Sequence, residues 1–207
     1  MLDLDAILGS EPSVTVNLSG VRRYFTQHPN QLEDRGESDK TPLLWAVALC
    51  QPALVRLLID LGANVNPQAN DGFPPLHLLV DVPNSFRADS LQIAAMVLEA
   101  GADIEQRGIN DWTPLHRAAN AGNLDMVRLL VEHGADLNAR TRIDGHETPI
   151  MEAALRGQVE VIEYLLQKGA DPTLVTIYGE TAEQKARSHK HPEVVRVLQS
   201  IQHRHSF

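Results

Sequence analysis

The sequence predicts an all-α solenoid, a stack of short antiparallel helix pairs joined by turns. Two markers that repeat in step carry this expectation, and the turn chemistry inside each copy supports it. The first marker is Thr41-Pro42-Leu43, Pro74-Pro75-Leu76-His77, Thr113-Pro114-Leu115-His116, Thr148-Pro149-Ile150 and a degenerate Thr181-Ala182, at spacings of 33, 39, 35 and 33 residues. The second is Gly62-Ala63-Asn64, Gly101-Ala102-Asp103, Gly134-Ala135-Asp136 and Gly169-Ala170-Asp171. A shared period of this size marks a stacked array, whereas a plain helical bundle leaves the common phase unexplained.

Within the copy from Gly108 to Arg140 each element has a local reason. Thr113 suits an N-cap and Pro114 the first helical position, where its missing N–H costs nothing. Leu115, Ala118 and Ala119 make a short first helix with small residues on its packing side, and Gly122 closes it with positive φ. Leu124, Val127, Leu129 and Leu130 lie at helical spacing and form the packing side of a second helix, which Gly134 ends. Neither helix can bury its apolar face alone, so stability must come from nearest-neighbour interfaces.

The run Thr113-Pro114-Leu115-His116-Arg117-Ala118-Ala119, followed by Gly122-Asn123, Leu129-Leu130 and Gly134-Ala135-Asp136-Leu137-Asn138, resembles a near-complete ankyrin repeat. The resemblance covers residues 36 to 201. It implies an ankyrin-repeat solenoid, right-handed, with paired helices and β-turn fingers, and a role as a protein-binding scaffold. In this phase residues 1–35 are an N-terminal cap with a partial repeat, and 36–68 are repeat 1. Repeat 2, 69–107, has an inter-helix insertion; 108–140 is repeat 3 and 141–175 is repeat 4, with a longer finger. Residues 176–201 are a C-terminal capping repeat and 202–207 a tail.

Departures from the pattern locate the irregular parts. Pro74 replaces the capping Thr in repeat 2, and six extra residues fall within 81–89 between its helices. The finger of repeat 4, 140–147, is two residues longer. Insertions in such arrays map to loops, often on the binding side. Val21 to Phe25, followed by His28-Pro29-Asn30, reads as the second helix of a lost repeat. Residues 2–8 are expected to form a short helix covering it, with a loop over 10–17. Glu183-Gln184-Lys185 give the last repeat the polar face that a terminal copy needs for solubility.

Composition excludes several function classes. The 207 residues include 18 Lys+Arg and 27 Asp+Glu, a formal charge of -9. That balance argues against a general nucleic-acid or anionic-membrane binder, which needs a concentrated positive face. The acid excess is read as spread over all repeats, a solvated face that would also suit a basic partner. One cysteine, Cys50, rules out an intrachain disulfide and a multi-Cys zinc site. No apolar run approaches the ~18 residues of a membrane span, and acids stand where a signal peptide needs Lys or Arg; a cytoplasmic monomer is expected.

Catalytic motifs are absent: no HExxH, GxSxG, P-loop or GxGxxG. His77 and His116 fall at the His of the TPLH signature and are expected to bond neighbouring backbone. Cys50 sits where the first helix closes and reads as a packing thiol. His189, His191, His203 and His205 form two HxH pairs, read as solvated and without the fixed geometry of a metal site. No cofactor or metal is expected.

The resemblance phases a candidate protein-binding face from the finger residues before each Thr-Pro-Leu and from the exposed ends of the first helices. The fingers supply Asn70, Asp71 and Phe73; Ile109, Asn110 and Trp112; Asp144, His146 and Glu147; and Ile177 and Tyr178. The helix ends supply Asp81, Asn120 and Arg156. Phe73, Trp112 and Tyr178 stand out because aromatics are only 4% of the chain and large aromatics dominate interface energy. The expected function is a non-enzymatic scaffold, adaptor or inhibitor that binds a protein partner through this face. Two alternatives remain open: an immunity or inhibitor protein dedicated to one basic toxin or enzyme, and a secreted effector or enzyme with a site in residues 1–35 or in the insertion.

Overall fold

The computed structural model describes residues 16–35, 39–67, 73–143 and 145–202. The helix expected over residues 2–8 and the second HxH pair lie outside them. Among the described residues the chain is helical without strands, and it forms two compact units, Met1–Gln106 and Arg107–Phe207. No helix among the described residues is long and apolar enough to cross a membrane.

The first unit contains α1 (Leu18–Gln27), α2 (Pro42–Ala48), α3 (Pro52–Asp60), α4 (Pro75–Leu78) and α5 (Arg87–Glu99). The second contains α6 (Pro114–Ala121), α7 (Leu124–Glu132), α8 (Pro149–Arg156), α9 (Val159–Gln167), α10 (Ala182–Ser188) and α11 (Pro192–Gln202). In the second unit α6, α8 and α10 pack side by side as an inner layer, with α7, α9 and α11 behind them. The inner layer closes tightly because Ala118, Ala119, Ala153, Ala154, Ala182 and Ala186 are all fully buried. The first unit repeats the two-layer plan with α2 and α4 beside each other and α3 against α1 and α5.

The repeated markers are backbone devices. Nine residues after each first-helix Thr the chain turns left-handed, at Cys50 (φ 50), Gly122 (φ 70), Gly157 (φ 74) and Lys190 (φ 63). Two residues before each Thr it does so again, at Asp39 (φ 56), Asp111 (φ 58), His146 (φ 62) and Gly179 (φ 77). The Gly-Ala-Asp marker works through its acid. Asp136 Oδ1 accepts from Asn138 N (2.9 Å), and Asn138 Oδ1 accepts from Asp171 N of the next copy (2.9 Å). Asn66 does the same for Asp103 N at 2.7 Å. Each local turn therefore presents an acceptor to its neighbour.

His116 explains the histidine of the signature. Thr113 Oγ1 accepts from His116 N and His116 Nδ1 accepts from Thr113 N, a reciprocal cap at the start of α6. Its Nε2–H donates to the Glu147 carbonyl at 3.1 Å, in the finger of the next repeat. With Nδ1 accepting, the neutral Nε2–H tautomer is required. Burial pulls the imidazole pKa down to about 4, so it stays neutral near pH 7. Gln184 replaces His in the same cap at Thr181. Thr148 is followed three residues later by Met151, which cannot reciprocate, and Thr148 Oγ1 is buried without a partner among the described residues.

Four expectations change. Leu129 is only half-buried; Met126, Val127 and Leu130, each 0% exposed, form the packing side of α7. The insertion in repeat 2 is not wholly a loop. It makes a 3-10 turn over 84–86 and then joins α5, which at 13 residues is longer than its 9-residue counterparts. The helix before it, α4, has only 4 residues and no side-chain cap at Pro74. His191 is not solvated: its Nε2 bonds the Leu155 carbonyl (3.1 Å) across to the end of α8. Finally, the acid excess is not spread evenly. Residues 1–106 hold 14 Asp+Glu against 6 Lys+Arg, and 107–207 hold 13 against 12.

Candidate protein-binding face

Three consecutive fingers of the second unit are built alike. Each is closed at its base by one backbone bond: Gly108 N to Trp112 O, Thr141 N to Glu147 O and Thr176 N to Glu180 O. The two extra residues of the middle finger lie between its closing pair, so they lengthen its tip. Adjacent fingers are tied by Ile177 N donating to Gly145 O at 2.9 Å. Arg107 Nη1 donates to Arg140 O (2.9 Å), and Arg140 Nη1 in turn donates to Val175 O (3.1 Å).

Asp111 is the electrostatic centre of the ladder. Arg107 Nη1 reaches its Oδ2 at 2.9 Å and Arg142 Nη2 reaches its Oδ1 at 2.7 Å. Burial would raise the carboxyl pKa, but the Arg142 hydrogen bonds and both guanidinium charges hold it below the usual carboxylate range. Along the inner layer, Lys185 Nζ pairs with Glu147 at 2.6 Å, both 13% exposed, and lies 3.9 Å from Glu180. Asn120 Nδ2 donates to Glu152 at 2.9 Å. Glu152 itself is 5% exposed, and burial pushes its carboxyl up to about 7, against the Asn120 hydrogen bond that favours the charged form.

Apolar side chains cap the finger tips. Every exposed large hydrophobic among the described residues lies on these fingers or at a finger base: Ile109, Ile143, Ile177 and Tyr178 fall within the closing pairs and Val175 just before one, with Tyr178 78% exposed. Ile143 and Val175 were not among the sequence candidates. A finger has no second layer above it, so an aliphatic residue there stays in solvent, and composition alone does not reveal this.

The other candidates divide. Asn110 (φ 61) and His146 are exposed at left-handed finger positions, and Arg156 is exposed in the last turn of α8. Glu147 and Asn120 are partly buried and already engaged within the fold. Trp112 and Phe73 are half-buried and belong to different units. Asp81 is exposed beyond the short α4. Asn70, Asp71 and Asp144 lie outside the described residues.

Burial, and then the charge of Asp89, raises the Cys50 thiol pKa, so thiolate is scarce and the residue packs. Among the described residues no group of three or more His, Cys, Asp or Glu side chains could hold a metal ion.

A stack of capped helix pairs with projecting fingers is the architecture of a protein-interaction module. A family model described as ankyrin repeats, three copies, matches residues 84–176 and 141–205, and a single ankyrin-repeat model matches 38–70. Together they cover more than half of the chain, which belongs to the ankyrin-repeat family. It is 35% identical over 96 residues to protein fem-1 homolog A of Danio rerio, covering 43% of this chain and 16% of that protein. It is 35% identical over 82 residues to protein fem-1 homolog C of Homo sapiens, covering 36% and 13%. Alpha-latroinsectotoxin-Lt1a of Latrodectus tredecimguttatus is 32% identical over 103 residues, covering 49% and 7%. The chain thus spans less than a fifth of each of these relatives.

Proposed function

We propose that this protein is a non-enzymatic binding module that holds a protein partner on the finger tips and adjoining first-helix ends of residues 107–207. The observation that carries the reading is the run of exposed Ile109, Ile143, Val175, Ile177 and Tyr178 on three linked fingers. Exposed apolar side chains gathered on linked fingers mark an interaction site. The first two fingers are braced by Asp111 and its arginines and the third is tied to the second by Ile177 N and Arg140, which lowers the ordering cost of binding. Two acids on this face are already matched within the fold, Asp111 by Arg107 and Arg142 and Glu147 by Lys185. The reading therefore favours a partner with an apolar contact surface over one chosen for its positive charge.

The test is an affinity capture from cells of the source organism, quantified by mass spectrometry. Wild-type protein is compared with Ile143→Asp/Tyr178→Asp and with Glu163→Ala, an exposed change on the outer helix α9. A partner retained by wild type and Glu163→Ala but lost from the finger variant supports the face. Equal recovery on all three baits removes it.

A further inference from the structure

The first unit carries a second surface of opposite character. Helices α1 and α3 leave between them a cleft of about 450 Å³, lined by Leu18, Ser19, Arg22, Arg23, Ala53, Arg56, Leu57 and Asp60. The lining follows from helical spacing. Ala53, Arg56, Leu57 and Asp60 fall at i, i+3, i+4 and i+7 on one face of α3. Leu18, Arg22 and Arg23 face it from α1.

Charge sets this cleft apart. Residues 1–106 have 14 acids and 6 bases, yet three of those bases line this one cleft. Arg22, Arg23 and Arg56 are all exposed. Neither Arg22 nor Arg23 has an ion pair among the described residues. Among the described residues Arg56 reaches Glu99 at 3.9 Å, between side chains 48% and 65% exposed, and such a pair holds little energy. The floor is apolar, with Leu57 5% exposed and Leu18 half-covered.

We infer that the cleft between α1 and α3 docks an acidic amphipathic helix of a partner protein. Leucine-type side chains would enter between Leu18, Ala53 and Leu57, and flanking carboxylates would meet the three arginines. Arginine suits this role because its planar fork takes a carboxylate bidentately. The apolar floor distinguishes such a segment from a phosphate chain, which would gain nothing there. Asp60 marks the end at which a carboxylate is unwelcome, and so gives the bound helix a direction. The wider acid excess opposes approach only weakly at physiological salt, where fields decay over about 8 Å; contact pairs decide the outcome.

The probe is a fluorescently labelled Leu/Glu amphipathic peptide of about four helical turns, read by anisotropy against the full chain. A matched peptide with Lys in place of Glu and a single-stranded oligonucleotide are run beside it. The Leu/Glu peptide should saturate with a Kd on the order of 10⁻⁵ M. Arg22→Glu/Arg23→Glu should weaken it at least about tenfold, as should Ala53→Glu, which places one acid in the cleft. Arg196→Glu, on α11 in the other unit, should leave it unchanged. All these positions are exposed, and unchanged melting checks the fold. Lack of saturable binding, equal binding of the Lys peptide or the oligonucleotide, or indifference to both cleft variants overturns the inference. A tenfold gain in peptide affinity on Asp3→Lys/Asp5→Lys also overturns it, because the chain's own leading acids would then be the occupant.

Discussion

Glu152 and His116 shift in opposite directions for the same reason: each is buried, and burial disfavours its charged form. Their consequences for stability run opposite ways with pH. His116 titrates at about 4 when folded, below its ordinary 6.5, so its contribution is complete above 6.5 and is lost as pH falls through 4. Glu152 titrates at about 7 when folded, above its ordinary 4.5. Its contribution is complete below 4.5 and is lost as pH rises through 7. Glu152→Gln keeps an acceptor for Asn120 Nδ2 and removes the charge. Urea denaturation should find the variant equal to wild type near pH 4.5 and more stable near pH 8, by on the order of 1–3 kcal/mol. A gap independent of pH would mean that the gain comes from packing and that Glu152 is not the titrating group.

At the scale of the helix pair, burial and backbone geometry give two further expectations. Leu130→Ala removes a side chain with no exposure and should cost about 2–5 kcal/mol, whereas half-covered Leu129→Ala should cost about 1 kcal/mol or less. Equal costs in chemical denaturation would contradict the face assigned to α7. Lys190 is exposed and held at φ 63, where two other copies place Gly122 and Gly157. Lys190→Gly relieves a left-handed strain of about 1–2 kcal/mol against a smaller entropic loss in the unfolded chain, so the melting temperature should rise. A lower one would show that Lys190 contributes contacts which outweigh its backbone. Such positions were readable in the sequence because a cap or a helix stop is decided within a few residues: Thr113 by His116, α6 by Gly122. The choice between Leu129 and Leu130 was not readable. Leu129-Leu130-Val131 is apolar throughout, and only the neighbouring pair of helices selects which residue is covered. Ile143 and Val175 escaped for a related reason, since an aliphatic side chain reads as core until the missing layer above the fingers is seen.

Across residues 107–207 the repeats are joined by links that recur from one pair of neighbours to the next. Gln158 Nε2 donates to Asn120 O, and His191 Nε2 bonds Leu155 O in the same relation one copy later. His116 to Glu147 and Asn138 to Asp171 are further links of this kind, each reaching one repeat onward. This pattern was hidden in the sequence because a residue such as His191 has its partner 36 positions earlier, and no local signal marks it. An array held by nearest-neighbour links behaves as a one-dimensional chain, in which weakening one interface lowers the stability of what lies beyond it. His191→Ala removes one of the links at the last interface and the imidazole that fills the space beside Gly157. The expected cost is about 1–2 kcal/mol, the range for losing a buried hydrogen bond and its partner's satisfaction. Native-state hydrogen exchange should localise it: amides of α10 and α11 exchange roughly five- to thirtyfold faster, while those of α6 and α7 keep their rates. Uniform acceleration through α6 to α11 would mean that this unit unfolds as one cooperative block, and the nearest-neighbour account of its stability would fail.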